Sequence, residues 1–283
     1  MDDPRRYWVG FNLVKGIGTA RLRALLDYFG DVESAWNASL AELERAGLGS
    51  KLALTVQQAR TGDVLARTWQ HIEASGIGVL TWDDPAYPRR LKEIHQSPPV
   101  LYVRGELSEA DQWAVAIVGT RRITAYGQQV ARDLAAGLAR QGVSVVSGLA
   151  RGVDGVAHQA ALEAGGRTLA VLGSGVDRIY PPEHRRLAEQ ISSRGALISD
   201  YPPGTEPEAV NFPPRNRIIS GLSQAVVVVE AGEKSGALIT AAFATEQGRE
   251  VFAAPGSLYA AQSNGPNLLI KEGAHIFLDL KDL

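Results

Sequence analysis

The 283 residues include no cysteine, which excludes disulfides, thiolate zinc sites and a cysteine nucleophile together. No stretch approaches the ~20 apolar residues that a membrane helix requires. The opening Met1-Asp2-Asp3-Pro4 lacks the basic and apolar character of a secretory signal. Neither sign of charge dominates: 29 Lys and Arg against 31 Asp and Glu leave a net −2 at pH 7. That balance argues against a protein that coats nucleic acid indiscriminately, and it leaves room for a local basic site. The expectation from these absences is a folded cytoplasmic protein that does not enter a membrane.

The chain is long enough for one large domain, or for a large one with a small one beside it. The first seventy residues read as helices only. Leu22, Leu25, Leu26 and Phe29 recur at helical spacing after Gly16-Ile17-Gly18-Thr19, with Thr19 placed as a cap. A weaker echo follows 31 residues later: Leu40 and Leu43, then Gly47-Leu48-Gly49-Ser50, then Leu52, Leu54 and Val56. Gly-apolar-Gly between two short helices marks a helix-hairpin-helix turn, which serves either DNA phosphates or packing and partner docking.

From about residue 75 strands and helices alternate. Strands are expected at 77–82, 100–104, 114–118, 144–147, 168–172, 196–199, 225–230, 250–253 and 276–278, several of them continuous Val/Ile/Leu/Ala runs suited to a parallel sheet covered on both faces. Helices are expected at 124–141, 152–164, 183–194 and 235–247. The rhythm predicts an α/β fold: a helical domain over 1–72, then a Rossmann-like, doubly wound, mostly parallel sheet over 73–283. In such a sheet ligands bind at the C-terminal strand ends.

Four of those ends carry Gly, Ser and charge: Gly119-Thr120-Arg121-Arg122, Ser147-Gly148 running on to Asp154, Gly173-Ser174-Gly175 closing with Tyr180-Pro181-Pro182, and Gly232-Glu233-Lys234-Ser235-Gly236. Turns of this kind let backbone N–H groups approach an anion, and the following helix dipoles favour it. The repetition predicts a phosphate-binding crevice. Arg121, Arg122, Arg132, Arg140 and Arg151 meet only Asp133 and Asp154 across residues 113–160.

A further segment, Phe212-Pro213-Pro214-Arg215-Asn216-Arg217, reads as a proline-broken loop ahead of an apolar strand. Its arginines can fork onto phosphates, and a ring offers a stacking face worth roughly 1–3 kcal/mol per base. Equally, the arginines can pair with carboxylates and Phe212 can belong to the core.

The usual nucleotide cofactors fit poorly. The first turn lacks the glycines that admit a pyrophosphate, and the second strand ends without a ribose-binding acid. Gly232-Glu233-Lys234-Ser235 has no earlier glycine of a Walker loop. Asp154 and His158 stand four apart and could share a helix face, a pairing more often structural than catalytic. No serine sits in a nucleophile elbow, and acids and histidines show no metal spacing. The expectation is no cofactor, no metal and no catalytic residue.

Taken together, Ile-Val-Gly-Thr-Arg with Tyr-Gly, Ser-Gly-Leu-Ala-x-Gly-Val-Asp-x-x-Ala-His, Gly-x-Gly-Val-Asp-x-x-Tyr-Pro, Phe-Pro-x-Arg-Asn-Arg-Ile-Ile, Val-Val-Glu-Ala with Ser-Gly-Ala-Leu-x-Thr-Ala, and Gly-x-Asn-x-Leu-Ile-x-x-Gly-Ala span roughly residues 80–275. This set resembles the DNA-processing protein A (DprA/Smf) family, and the helical N-terminus resembles its sterile-alpha-motif-like domain. Many members carry a small winged-helix domain after the core; the chain as read stops at Leu283, so that domain is expected to be absent or removed. The resemblance implies a non-enzymatic homodimer that binds and protects single-stranded DNA and loads the RecA recombinase, in natural transformation, with repair as a second setting. It implies that Arg121 holds a phosphate within Gly119-Thr120-Arg121-Arg122. Ser147, Gly148, Lys234, Ser235 and Gly236 add donors, and Phe212 stacks on a base beside Asn216 and Arg215 or Arg217. One departure stands out: Glu208-Ala209-Val210-Asn211 lacks a lysine that some relatives have near Ala209. The alternative is a nucleotide phosphoribohydrolase resembling the Lonely Guy proteins, whose catalytic glutamate has no counterpart at the matching helix position here; an adaptor with a vestigial core is a third reading.

Overall fold

The computed structural model describes residues 3–283. Six helices come first: α1 (Arg5–Leu13), α2 (Thr19–Phe29), α3 (Val32–Asn37), α4 (Leu40–Arg45), α5 (Ser50–Thr61) and α6 (Val64–Ala74). The two Gly-apolar-Gly turns join α1 to α2 and α4 to α5. Gly16 and Gly47 hold φ of +102° and +95° there, a region that a side chain would disfavour. Ser39 and Glu42 form a reciprocal capping box on α4. Thr19 is not a cap: it is the first helical residue, and its hydroxyl donates to the Ser97 carbonyl at 2.8 Å, tying α2 to the rest of the chain. The apolar stripe buries Trp8, Phe11, Leu22, Leu25 and Leu43. Trp8 meets Trp82 edge to face at 5.8 Å, so this core runs on into the sheet.

The remainder alternates: β1 (Gly78–Thr81), α7 (Arg89–Lys92), β2 (Val100–Gly105), β3 (Ala114–Val118), α8 (Ala125–Arg140), β4 (Ser144–Ser147), α9 (Val153–Glu163), β5 (Thr168–Val171), α10 (Arg185–Arg194), β6 (Ala196–Ser199), α11 (Phe212–Leu222), β7 (Ala225–Val228), α12 (Gly236–Glu246), β8 (Glu250–Ala253), α13 (Asn264–Lys271) and β9 (His275–Ile276). The nine strands order as β1-β2-β6-β5-β4-β3-β7-β8-β9. Pairing is parallel from β6 through β9 and antiparallel where β1 and β2 are added. Leu134, Leu138, Val153 and Ala157 of α8 and α9 pack on Val115, Ile117 and Val227. Ile218, Ile219, Ala241 and Ala244 of α11 and α12 cover the other face with the N-terminal helices. The fold is Rossmann-like and doubly wound, with its strand order reversing at β3.

Further expectations change, among them the last strand, which is His275–Ile276 and not 276–278 because the chain turns at Leu278 into a capped 3-10 turn. The segment from Phe212 is a helix, not a loop, because Pro213 and Pro214 stand in its first turn, where a missing N–H leaves no helical bond unmade. The strand expected to reach Glu230 ends at Val228, and Glu230 turns to grip the neighbouring strand end.

Candidate nucleic-acid interface

Strand order reverses between β3 and β7, and the chain leaving β3 must part from the chain leaving β7, which opens a crevice there. Glu230 fixes its rear wall. Its carbonyl accepts from Thr120 N–H at 2.6 Å. Its buried carboxylate accepts from Thr124 N–H at 3.0 Å and from the Thr124 hydroxyl at 2.5 Å, over the start of α8. Gly127 makes room for it: a β-carbon there would lie 2.2 Å from the carboxylate. Gly152, at φ +76°, lets the β4 turn close on the β3 turn; a β-carbon would stand 2.2 Å from the Thr120 carbonyl oxygen. Glu230 is thereby a structural clasp between two strand ends.

The crevice encloses about 410 Å³ and is lined by Gly119, Thr120, Arg121, Ala150, Asp154, Phe212, Arg215, Asn216, Lys234, Ser235, Gly236, Thr240 and Gln262, among others. Phe212 lies on its border with a second, smaller depression. The ring lies on Gly173, where a β-carbon would come within 2.9 Å of it. Tyr180 meets it tilted at 5.7 Å. The Arg121 guanidinium sits 5.7 Å from the ring centroid and that of Arg215 5.9 Å. Phe212 is accordingly half-buried, its ring set among two cations, a tyrosine and a glycine.

Arg215 forms the floor. Its guanidinium donates to the carbonyls of Gly148 (2.9 Å) and Val171, and to the Asn216 side chain (3.2 Å). Burial brings its pKa down to about 10, with Asp154 opposing the fall, so it stays charged at neutral pH. Asp154 accepts from Gly148 and Ala150 N–H groups at 3.1 and 3.3 Å; burial raises its pKa against the pull of Arg215. Opposite, Ser235 caps α12 by accepting from Ala237 N–H, and exposed Lys234 precedes it. The crevice therefore offers Arg121, Lys234, the half-compensated Arg215 and a helix N-terminus, all favouring an anion.

The candidate residues do not all meet here. Gly119, Thr120, Arg121, Phe212, Arg215, Asn216, Lys234, Ser235 and Gly236 line the crevice. Arg217 does not: it pairs with Asp200 at 2.7 Å and donates to the Gln96 carbonyl, on the far side of α11. Ser147 is fully buried and its hydroxyl donates to the Ile117 carbonyl, linking β4 to β3. Gly148 faces the adjoining depression, its N–H taken by Asp154. Arg122 is exposed but outside the lining. Asn216 accepts from Arg215 Nε and donates to the Gly236 carbonyl, bracing α11 against α12, with one amide hydrogen and one lone pair left over at the crevice lining. Asp154 and His158 make no pair. The buried His158 bonds through Nδ1 to the Thr168 hydroxyl, which itself donates to the Val145 carbonyl, so Nδ1 carries the proton and Nε2 has no partner. Burial pushes its pKa down to about 3.

Sequence reasoning did not name Thr240, Gln262 or Tyr180 as site residues. Tyr180 had a signal, the Tyr-Pro-Pro closing one strand end; Gln262 arrives from beyond β8 with none. Among the described residues, no helix is long and apolar enough to cross a membrane, and no cluster of three or more His, Asp or Glu is placed to hold a metal.

A doubly wound, Rossmann-like sheet with a crevice at its switch point, lined by Arg121, Arg215, Lys234 and a helix start, sets the chain among α/β proteins whose sites lie at the strand ends. Residues 78–283 match the profile of the DNA recombination-mediator protein A family. The chain belongs to that family of DNA-processing proteins. It is 43% identical over 284 residues to protein Smf of Synechocystis sp., covering 98% of this chain and 71% of that one. It is 44% identical over 220 residues to DNA processing protein DprA of Bacillus subtilis, covering 77% and 74%. The structure of DprA from Streptococcus pneumoniae superposes with a TM-score of 0.86 at 34% identity, over 98% of this chain and 96% of that chain. DprA from Helicobacter pylori, whose structure is described for a single-stranded-DNA binding mode, gives 0.66 at 31% identity, over 73% and 93%.

Proposed function

We propose that the crevice holds the sugar–phosphate backbone of single-stranded DNA, and that the protein, as a homodimer in the cytoplasm, protects such strands and loads RecA recombinase onto them. The observation that carries the DNA reading is the stack of Arg121 on Phe212 above the buried Arg215, beside the α12 N-terminus. Two exposed cations and a helix start suit successive phosphates. The partly covered ring suits one base or sugar at its open edge, which a duplex cannot present. The binding mode described for the Helicobacter pylori relative supports the same ligand. Family membership supports RecA loading, the dimer and a role in natural transformation, with repair as a second setting.

A hydrolytic use finds less support. Glu230, the acid that a phosphoribohydrolase reading would need, has its carboxylate on the α8 start and outside the crevice lining. Fluorescence anisotropy of a labelled oligo-dT strand, over a salt series and with unlabelled duplex as competitor, tests the DNA reading. Tight, salt-sensitive binding that duplex competes poorly is the expected result; no binding at low salt would refute it. Sedimentation, and RecA strand exchange with and without the protein, test dimer and loading separately.

A further inference from the structure

Beside the crevice, across the Phe212 ring, lies a shallow depression lined by Arg121, Gly148, Ala150, Arg151, Tyr180 and Phe212. It encloses about 10 Å³, the space of one water-sized group. A base cannot enter it; a phosphate oxygen can. Arg121 and Phe212 line both hollows, so they form the ridge between them.

The cation at its rim is not free. Arg151 Nε donates to Glu183 Oε1 at 2.5 Å, and the two side chains are 53% and 49% exposed. Glu183 lies just past Tyr180 and Pro181, which wall the same depression, so one short segment supplies both the wall and the counter-charge.

We propose that this depression is a second phosphate subsite of the strand-binding path, and that Glu183 latches Arg151 until an incoming phosphate displaces it. The proposal rests on the single-strand reading above. The exchange is physically accessible because an exposed ion pair is weak, while a guanidinium can meet a phosphate with two parallel hydrogen bonds. The latch also sets selectivity. A mononucleotide in the crevice cannot reach over the Phe212 ridge to compete with Glu183. A strand that spans the ridge delivers its next phosphate there. Glu183 consequently lowers affinity overall and shifts preference toward longer strands.

The test is a mutant cycle read by anisotropy of labelled oligo-dT over a salt series, using Arg151→Ala, Glu183→Gln and the double variant. Both residues are exposed, and melting curves confirm that each variant folds. Glu183→Gln is expected to tighten binding roughly two- to fivefold, the range that an exposed ion pair commands. Arg151→Ala should weaken binding and make the slope of log affinity against log salt shallower by about one phosphate contact. The double variant should bind like Arg151→Ala, since nothing remains to be latched. Equal tightening by Glu183→Gln in both backgrounds would reduce the effect to general charge and overturn the latch, as would two silent single variants. Arg121→Ala run in parallel separates the levels. Its loss of binding with no response at 151 and 183 retires the subsite alone, while a wild type that binds no strand retires both readings.

Discussion

The guanidinium of Arg121 lies over the ring of Phe212, 5.7 Å from its centroid. A long, exposed side chain of the crevice lining thereby gains a contact that favours one of its orientations. Cation–π contact of this kind is worth about 0.5–1 kcal/mol at exposed sites, enough to bias a flexible arginine. Arg121→Ala should lower affinity for oligo-dT and make the salt slope shallower by about one unit. Phe212→Ala should weaken binding with little change in slope, because a stacked ring releases no counterion. The double variant should lose less than the sum of the singles, since the ring positions the arginine; strict additivity would show that the two act independently.

Arg215 is a different kind of arginine. Buried, bonded to two carbonyls and standing beside Asp154, it supports the floor from within. Arg215→Met should destabilise the protein by roughly 3–5 kcal/mol, because it leaves the buried Asp154 charge with two backbone N–H donors and without its cation. Urea denaturation measures this. An unchanged midpoint would mean that solvent reaches Asp154.

Acid should weaken the fold through His158. Its pKa is about 3 in the folded chain against 6.5 for an ordinary histidine, so the unfolded chain binds the extra proton throughout that interval. The contribution is whole above pH 6.5 and shrinks as pH falls, by about 1.4 kcal/mol per unit, until pH nears the folded value. Asp154, whose folded pKa is raised by burial, has the opposite sign and offsets part of the loss at the acid end. Denaturation midpoints between pH 7 and 4 should fall in the wild type and fall less in His158→Phe. Parallel curves would remove His158 as the cause.

Glu230 should prove structural. Glu230→Gln removes the charge that accepts two bonds from Thr124, and charge-assisted bonds contribute about 1.5–3 kcal/mol each at most. The melting temperature should drop, and nucleoside monophosphates incubated with the wild type should release no base. Turnover that disappears in Glu230→Gln at a temperature where the variant is folded would reverse this assignment.

The alternation of apolar runs with glycine-marked ends determined the β/α order and several strand limits unaided. Ala114–Val118, Ser144–Ser147, Ala196–Ser199 and Glu250–Ala253 fall where the pattern places them, because a parallel strand covered on both faces has an apolar centre, and the polar residues collect at its ends. Gly16 and Gly47 of the hairpin turns were legible for a similar local reason: a positive φ is a requirement that glycine meets best.

Tertiary structure alone decided which polar groups of those motifs face the crevice. Phe212-Pro213-Pro214-Arg215-Asn216-Arg217 reads as a loop, yet its prolines begin a helix. Residues two apart on a helix point about 200° away from each other, so Arg215 enters the floor while Arg217 turns out to Asp200. Ser147 is drawn to the Ile117 carbonyl by a strand pairing that no local pattern encodes. Gln262 and Tyr180 reach the site only because distant strand ends converge on it. Residue type and local spacing state what a segment can form. The direction of each side chain depends on which neighbours take its hydrogen bonds, and those neighbours are set by the packed sheet.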